Sequence, residues 1–293
     1  WQDKVKEIVL RLTGPEYNVD GVYIDQVAAA RPVMCFDATH GHPLGGGNWW
    51  VQKGYWPMLD DLVSRLPADK MLTTECNAEP YARWFDGYLT WHFQSQDMIP
   101  LFAAVYGGRL QMFSRSYGGS DKLSYRMKAA QEFVFGEQLG WIGAPVLLKD
   151  LEVTGSFFRR LARLRYALVP YLARGDMAHP PVAKGEVPQV TADWAWHGPT
   201  MITDSALQRG AWKSQDGKLA VLLVNVLDKP LQVTLKMDGT RYGFAKGSTL
   251  SVTPRNEDGL GTAMTRPATF DLPVELPAYG AIAYEIATSG AAH

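Results

Sequence analysis

The chain has 293 residues, 46% hydrophobic and 20% charged, with a net charge of −1, ten Trp and thirteen Tyr. This is the composition of a folded chain with a large core, and it argues against a disordered protein or a membrane-spanning one. A near-neutral balance without basic blocks lacks the usual footprint of nucleic-acid binding, so neither nucleic acid nor membrane is an expected partner.

The first residues place Val5, Ile8, Val9 and Leu12 at helical spacing. No Met, signal peptide or opening strand precedes them, so the start reads as the middle of a domain. After Gly14-Pro15 a short apolar run, Val19 to Gln26, stops at Asp25. A long loop follows, then a helical pattern around Tyr55 to Leu66, then a second run, Lys70 to Asn77, that stops at Glu75. Short runs separated by a helix predict parallel strands of βα units. Phe85 to His92, Arg109 to Phe113 and Phe135 to Ile142 supply further strand candidates, with a helical stretch near Ile99 to Val105. The total, roughly five strands, falls short of the eight of a closed barrel.

The fold class expected is therefore α/β: the C-terminal portion, about strands 4–8, of a (β/α)8 TIM barrel. Earlier strands would precede Trp1, and the missing N-terminal barrel half, on the same precursor or another chain, is an expected partner. From Gly155 to Arg174 the positions of Phe157, Leu161, Leu164, Leu168 and Leu172 predict one long helix whose interleaved arginines form a solvated or salt-bridged face. Beyond Pro180-Pro181 the texture changes to alternating strands at Leu219 to Val226, Leu231 to Met237 and Ile282 to Ile286. The expectation is an antiparallel β-sandwich over residues 181–293, following the barrel portion at 1–180.

Asp25 and Glu75 each end a strand and open a polar loop, the position at which barrel enzymes carry catalytic groups. Strand-end carboxylates also cap helices or pair with a buried Arg. Glu79, just beyond Glu75, is the substitute acid. The loop Asp37-Ala38-Thr39-His40-Gly41-His42-Pro43, continuing to Gly47-Asn48-Trp49-Trp50, combines backbone freedom with imidazole and indole groups suited to a sugar's rim and face. His40, His42, Trp49 and Trp50 are candidate substrate-binding residues. Trp91, His92 and Arg115, near later strand ends, are further ones, and Asp86 and Glu137 could also line the cleft. Two other readings stand beside this one: a metal site of Asp37, His40 and His42 with one of the acids, or a structural Gly-rich loop with histidines satisfied by backbone. The Gly45 to Gly47 run lacks the Lys-Ser/Thr of a phosphate loop. The favoured reading assigns no metal and no cofactor.

The only cysteines, Cys35 and Cys76, lie in the loops after the two strands. Unpaired thiols are the favoured reading, with a disulfide between neighbouring loops the alternative.

The segments Gly21-Val22-Tyr23-Ile24-Asp25-Gln26, His40 to Gly47, and Thr74-Glu75-Cys76-Asn77-Ala78-Glu79-Pro80-Tyr81 resemble a family of bacterial glycoside-hydrolase-like barrel proteins, largely of unknown function. More distantly, an Asp ending one strand and a Glu ending the next look like the retaining α-glycosidases of the α-amylase and endo-α-N-acetylgalactosaminidase types. The resemblance covers roughly residues 1 to 180. It implies hydrolysis of an oligo- or polysaccharide in a secreted or periplasmic setting, with Asp25 the nucleophile and Glu75 the acid/base. A non-catalytic glycan-binding protein with a degenerate barrel, and a metal-dependent hydrolase, are the alternatives.

Overall fold

The structure is a computed structural model that describes residues 1–29, 31, 33–45, 50–90, 99–114, 122–143, 152–194 and 200–290, the Trp50 side chain excepted. The chain forms two compact units, Trp1–Trp91 and His92–His293. Among the described residues no helix is long and apolar enough to cross a membrane.

In the first unit, helix α1 (Gln2–Thr13) buries Val9 and Thr13, whose hydroxyl donates to Val9 O at 2.9 Å. Strand β1 (Gly21–Ile24) follows, then helix α2 (Trp56–Arg65), strand β2 (Met71–Glu75) and strand β3 (Gly87–Leu89). α2 continues directly from a π-helical turn over Trp50–Tyr55, carries Pro57 at its start, and buries Met58, Leu59 and Leu62. β1 pairs with β2 in parallel from Gly21↔Met71 to Ile24↔Thr74, and β2 with β3 in parallel from Thr73↔Gly87 to Glu75↔Leu89. Close approach demands the glycine at position 21, where an added Cβ would meet Met71 Cγ at 2.5 Å. A parallel pair separated by a helix is the βα architecture the sequence predicts.

The second unit opens with helix α3 (Leu101–Tyr106), strand β4 (Gln111–Phe113) and helices α4 (Lys122–Val134), α5 (Glu152–Ala167) and α6 (Val169–Leu172). Strands then follow: β5 (Asp176–Ala178), β6 (Val182–Lys184), β7 (Gln189–Asp193), β8 (Met201–Ser205), β9 (Leu207–Lys213), β10 (Leu219–Asn225), β11 (Leu231–Asp238), β12 (Thr249–Asn256), β13 (Gly259–Leu260), β14 (Met264–Pro267), β15 (Thr269–Leu276) and β16 (Ala281–Thr288). One sheet runs β13-β12-β16-β10-β9-β5 with β14 alongside β12, a second runs β15-β11-β6, and β7 pairs with β8. β10 is buried along its whole length, as befits a central strand covered on both faces, whereas β11 and β15 alternate buried with more exposed positions. A single hydrophobic cluster takes in residues of α4, α5 and both larger sheets. The protein is thus mixed α/β, with antiparallel strands concentrated toward its C-terminus.

Three details depart from expectation. Phe135 to Ile142 contributes an isolated parallel bridge, Phe113↔Gln138, and no longer strand. The helix foreseen from Gly155 to Arg174 is broken at Leu168, because Pro170 in the first turn of α6 has no N–H to continue the α5 ladder. Of its arginines, Arg159 and Arg163 are exposed as the solvated-face reading holds, while Arg160 and Arg165 are half-buried. Arg160 pairs with Glu257 and donates to Tyr279 O, and Arg165 donates to Glu137 O at 2.7 Å and Gly136 O at 3.1 Å. Burial pulls the Arg165 guanidinium below its ordinary pKa, opposed by the nearby Glu137 carboxylate.

Candidate active site

Because Ile24 and Thr74 are register partners, Asp25 and Glu75 leave adjacent parallel strands, whose backbones lie about 4.8 Å apart, at the same level. Their surroundings differ. Asp25 is exposed in the turn after β1, while Glu75, the last residue of β2, is 4% exposed. The Thr74 hydroxyl donates to Ile24 O at 2.7 Å and fastens the two strand ends together.

Each acid is followed by a non-glycine residue in left-handed conformation, Gln26 at φ 64° and Cys76 at φ 61°. Such a backbone costs about 1–2 kcal/mol per residue, and strain of this kind collects where a function fixes the geometry. The turn at Gln26 brings its amide back to the sheet, where Nε2 donates to Glu75 Oε2. Cys76 keeps the sheet going for one more bond, its N–H donating to Leu89 O at 2.9 Å.

Tyr23 lies two residues before Asp25, in register with Thr73, so it shares a sheet face with Glu75. Burial is the first cause of a strong upward shift of its phenol pKa; the charges of Glu75 and Asp25 and a hydrogen bond with Asp25 add to it. The phenol therefore stays protonated at neutral pH, in the field of both carboxylates. Neither Tyr23 nor Gln26 had been singled out from the sequence, although both lie in the Gly21 to Gln26 motif.

The second loop is ordered by Asp37, which accepts from Thr39 N at 2.8 Å and Thr39 Oγ1 at 2.6 Å. These bonds, the hydroxyl first, hold its carboxyl below the usual range. Beyond it the chain makes a 3-10 turn (Ala38–His40) and reverses at Gly41, φ 69°. His40 and His42 are brought together, ring centroids 5.8 Å apart, and Cys35 Sγ lies 3.3 Å from His40 Nδ1. No disulfide joins Cys35 to Cys76. Glu79 is exposed at the head of a 3-10 turn (Glu79–Tyr81). Trp49, the Trp50 side chain, Trp91, His92 and Arg115 lie outside the described residues.

Asp86 sits at the other end of the sheet from the two acids: it precedes β3, and its Oδ2 accepts from Leu72 N at 2.9 Å. Glu137 is fully buried, not solvent-exposed. Aromatic rings run from Trp1 through Tyr55, Tyr81 and Phe85 to Tyr88, with successive centroids 5.7, 6.4, 6.4 and 6.1 Å apart. Edge-on and tilted pairs of this kind rigidify the loop after β2.

The buried phenols set an alkaline limit. Burial pushes Tyr81 up to about 12 and raises Tyr23 and Tyr171 as well, the last with help from Glu285. A raised folded-state pKa gives stability that is complete below the unfolded value of about 10 and is lost as pH climbs through the folded one. Ultraviolet difference titration should therefore find a late-ionising group of tyrosines that appears together with loss of circular dichroism above about pH 10. Ionisation of all thirteen tyrosines near that pH with structure intact would contradict the burial described.

Comparison with known proteins places these residues in context. Residues 1–117, less than half of the chain, match the family profile described as a domain of unknown function, DUF6259. A protein of Bacteroides thetaiotaomicron, provisionally named a glycoside hydrolase, is 27% identical over 247 residues, spanning 80% of this chain and 35% of that protein. One from Monosiga brevicollis, with the same provisional name and the number 22789, is 28% identical over 273 residues, spanning 82% of this chain and 22% of its own. The chain thus spans about a third or less of the length of these relatives. In fold it resembles α-galactosidase I of Mortierella vinacea with a TM-score of 0.50 at 10% identity, covering 99% of this chain and 73% of that one.

Proposed function

We propose that the chain is the C-terminal portion of a (β/α)8 glycoside hydrolase, residues 1–180, followed by a β-sandwich at 181–293. It cleaves O-glycosidic bonds of an oligo- or polysaccharide with retention of anomeric configuration. The pairing of Asp25 and Glu75 on adjacent parallel strand ends, with Tyr23 facing both, is the observation that carries this reading. Sequence similarity to two provisionally named glycoside hydrolases supports it.

Retaining hydrolysis needs one carboxyl that holds a proton and one that is ionised. Glu75, enclosed at the end of β2, is assigned as the group that protonates the leaving oxygen. Asp25, exposed and close enough to the Tyr23 phenol to raise its pKa, suits the carboxylate that attacks the anomeric carbon. Glycosidic C–O cleavage and formation of the Asp25 ester occur in one step, with the Glu75 proton passing to the leaving oxygen. Water, deprotonated by Glu75, then displaces the ester and restores both groups. Gln26, donating to Glu75 Oε2, fixes the orientation of the acid through this cycle.

The test is the anomer first released, followed by NMR on glycans that the whole protein hydrolyses. Retention is expected, together with labelling of Asp25 by a 2-deoxy-2-fluoroglycoside. An inverted first product would make Asp25 a base for water, and absence of any hydrolysis would remove the enzymatic reading.

A further inference from the structure

We propose that Cys35, His40 and His42 form a binding site for a thiophilic divalent cation of the zinc type, with Asp37 as the carboxylate that orients His40. This site is independent of the glycosidase reading and of Asp25 and Glu75. The sequence raised a metal only through Asp37, His40 and His42 with one of the acids, and the favoured reading assigned none. The fold substitutes Cys35 as the partner of the two histidines.

The donor atoms of these three residues all lie within 4.8 Å of one another. Zinc–sulfur bonds of about 2.3 Å and zinc–nitrogen bonds of about 2.0–2.1 Å, arranged tetrahedrally, require donors separated by about 3.3–3.6 Å. Cys35 Sγ and His40 Nδ1, 3.3 Å apart, already meet that spacing. The remaining separations need a contraction of at most about 1.5 Å, within reach of side-chain rotation on a loop.

Each imidazole is also presented by the appropriate nitrogen. With Nδ1 of His40 turned to Cys35, its Nε2 lies 3.2 Å from Asp37 Oδ2. This is the carboxylate–imidazole–metal relay that fixes the tautomer and raises ligand basicity, and Asp37 is in turn held by both Thr39 donors. In His42 the Nδ1, 2.9 Å from Pro43 O, donates to that carbonyl, which makes Nε2 the lone-pair nitrogen. The loop is closed behind the donors by Gly45 N–H donating to Cys35 O at 2.7 Å. The left-handed Gly41 makes the reversal that lets two histidines one residue apart converge.

A thiolate with two imidazoles selects zinc or cobalt(II) over magnesium or calcium, which take oxygen donors. Three protein donors leave a fourth position for water. His40 and Asp37 are about half exposed, so the ion has access from solvent. Cys35, His40 and Asp37 also have the connectivity of a thiol nucleophile with its base and orienting acid, but that arrangement has no use for His42, and the convergence of His42 favours a metal.

The experiment is titration of the intact, tag-free chain with Co²⁺ and Zn²⁺. Cobalt should bind one equivalent, with the visible bands of a tetrahedral centre and a thiolate charge-transfer band, and zinc should displace it. Cys35→Ser should abolish the charge-transfer band, whereas Cys76→Ser should keep it. His42→Ala should weaken zinc at least 100-fold, and Asp37→Asn about 10- to 100-fold. Thermal melting monitored by circular dichroism checks that the variants remain folded. No stoichiometric uptake, or binding unchanged in Cys35→Ser or His42→Ala, would overturn the proposal. Loss of Cys35 alkylation in His40→Ala without metal binding in the parent chain would instead identify the nucleophile arrangement.

Discussion

Glu75→Ala should lower kcat/KM by about 10²- to 10⁴-fold on glycosides with poor leaving groups and far less on dinitrophenyl glycosides, which depart without a proton. Asp25→Asn should abolish turnover of both, because no leaving group compensates for a missing nucleophile. Added azide should restore turnover of Glu75→Ala on the activated substrate and give a glycosyl azide of retained configuration. It attacks the Asp25 ester without needing a base to remove a proton. Glu75→Gln keeps the shape of the buried side chain and separates lost chemistry from lost packing. If azide instead rescues the Asp25 variant with retained configuration, the two roles are exchanged, whereas an inverted azide from that variant marks Asp25 as the missing nucleophile. Equal, small effects at both positions would remove the carboxylates from the chemistry altogether.

The strands carrying these acids were legible because each is a short apolar run ending in a charged residue, separated by a helix with clear periodicity. The supporting geometry was less so. Gln and Cys have no special preference for left-handed backbone, so nothing in their identity announces that Gln26 and Cys76 adopt it. Yet that turn is what directs the Gln26 amide to Glu75. Cys35 reads from the sequence only as an unpaired thiol, because its approach to His40 depends on the Gly41 reversal and the Gly45-to-Cys35 hydrogen bond, which are properties of the folded loop. α4 goes unpredicted for a different reason: its apolar positions Met127, Ala130 and Val134 share the buried side with Ser124, Lys128, Gln131 and Glu132, and these polar residues dilute the stripe. β9 hides similarly, with Gln208, Arg209 and Gly210 interrupting the strand signal. In the C-terminal part, where β11 alternates strictly and β10 is apolar up to Asn225, the pattern alone suffices.

Trp212→Ala should destabilise the second unit by about 4–6 kcal/mol, a large share of the 5–15 kcal/mol typical of a domain. Trp212, on β9, is fully buried, and its indole N–H donates to Val134 O at the end of α4 at 3.0 Å. Truncation leaves a cavity, worth about 3–5 kcal/mol, and strands a buried carbonyl, worth about 1 kcal/mol more. Two glycines are shaped around the ring: a Cβ at Gly107 would meet it at 2.8 Å, and one at Gly136 at 2.5 Å. Gly136 also has φ +77°, so Gly136→Ala meets both a steric clash and a backbone penalty. Chemical denaturation should show a lower midpoint with unchanged slope for either variant, and a loss below about 1 kcal/mol in Trp212→Ala would refute this account of the core. The double variant separates the two costs at position 136. Without the indole the clash disappears while the left-handed backbone remains, so Gly136→Ala should cost only about 1–2 kcal/mol in the Trp212→Ala background.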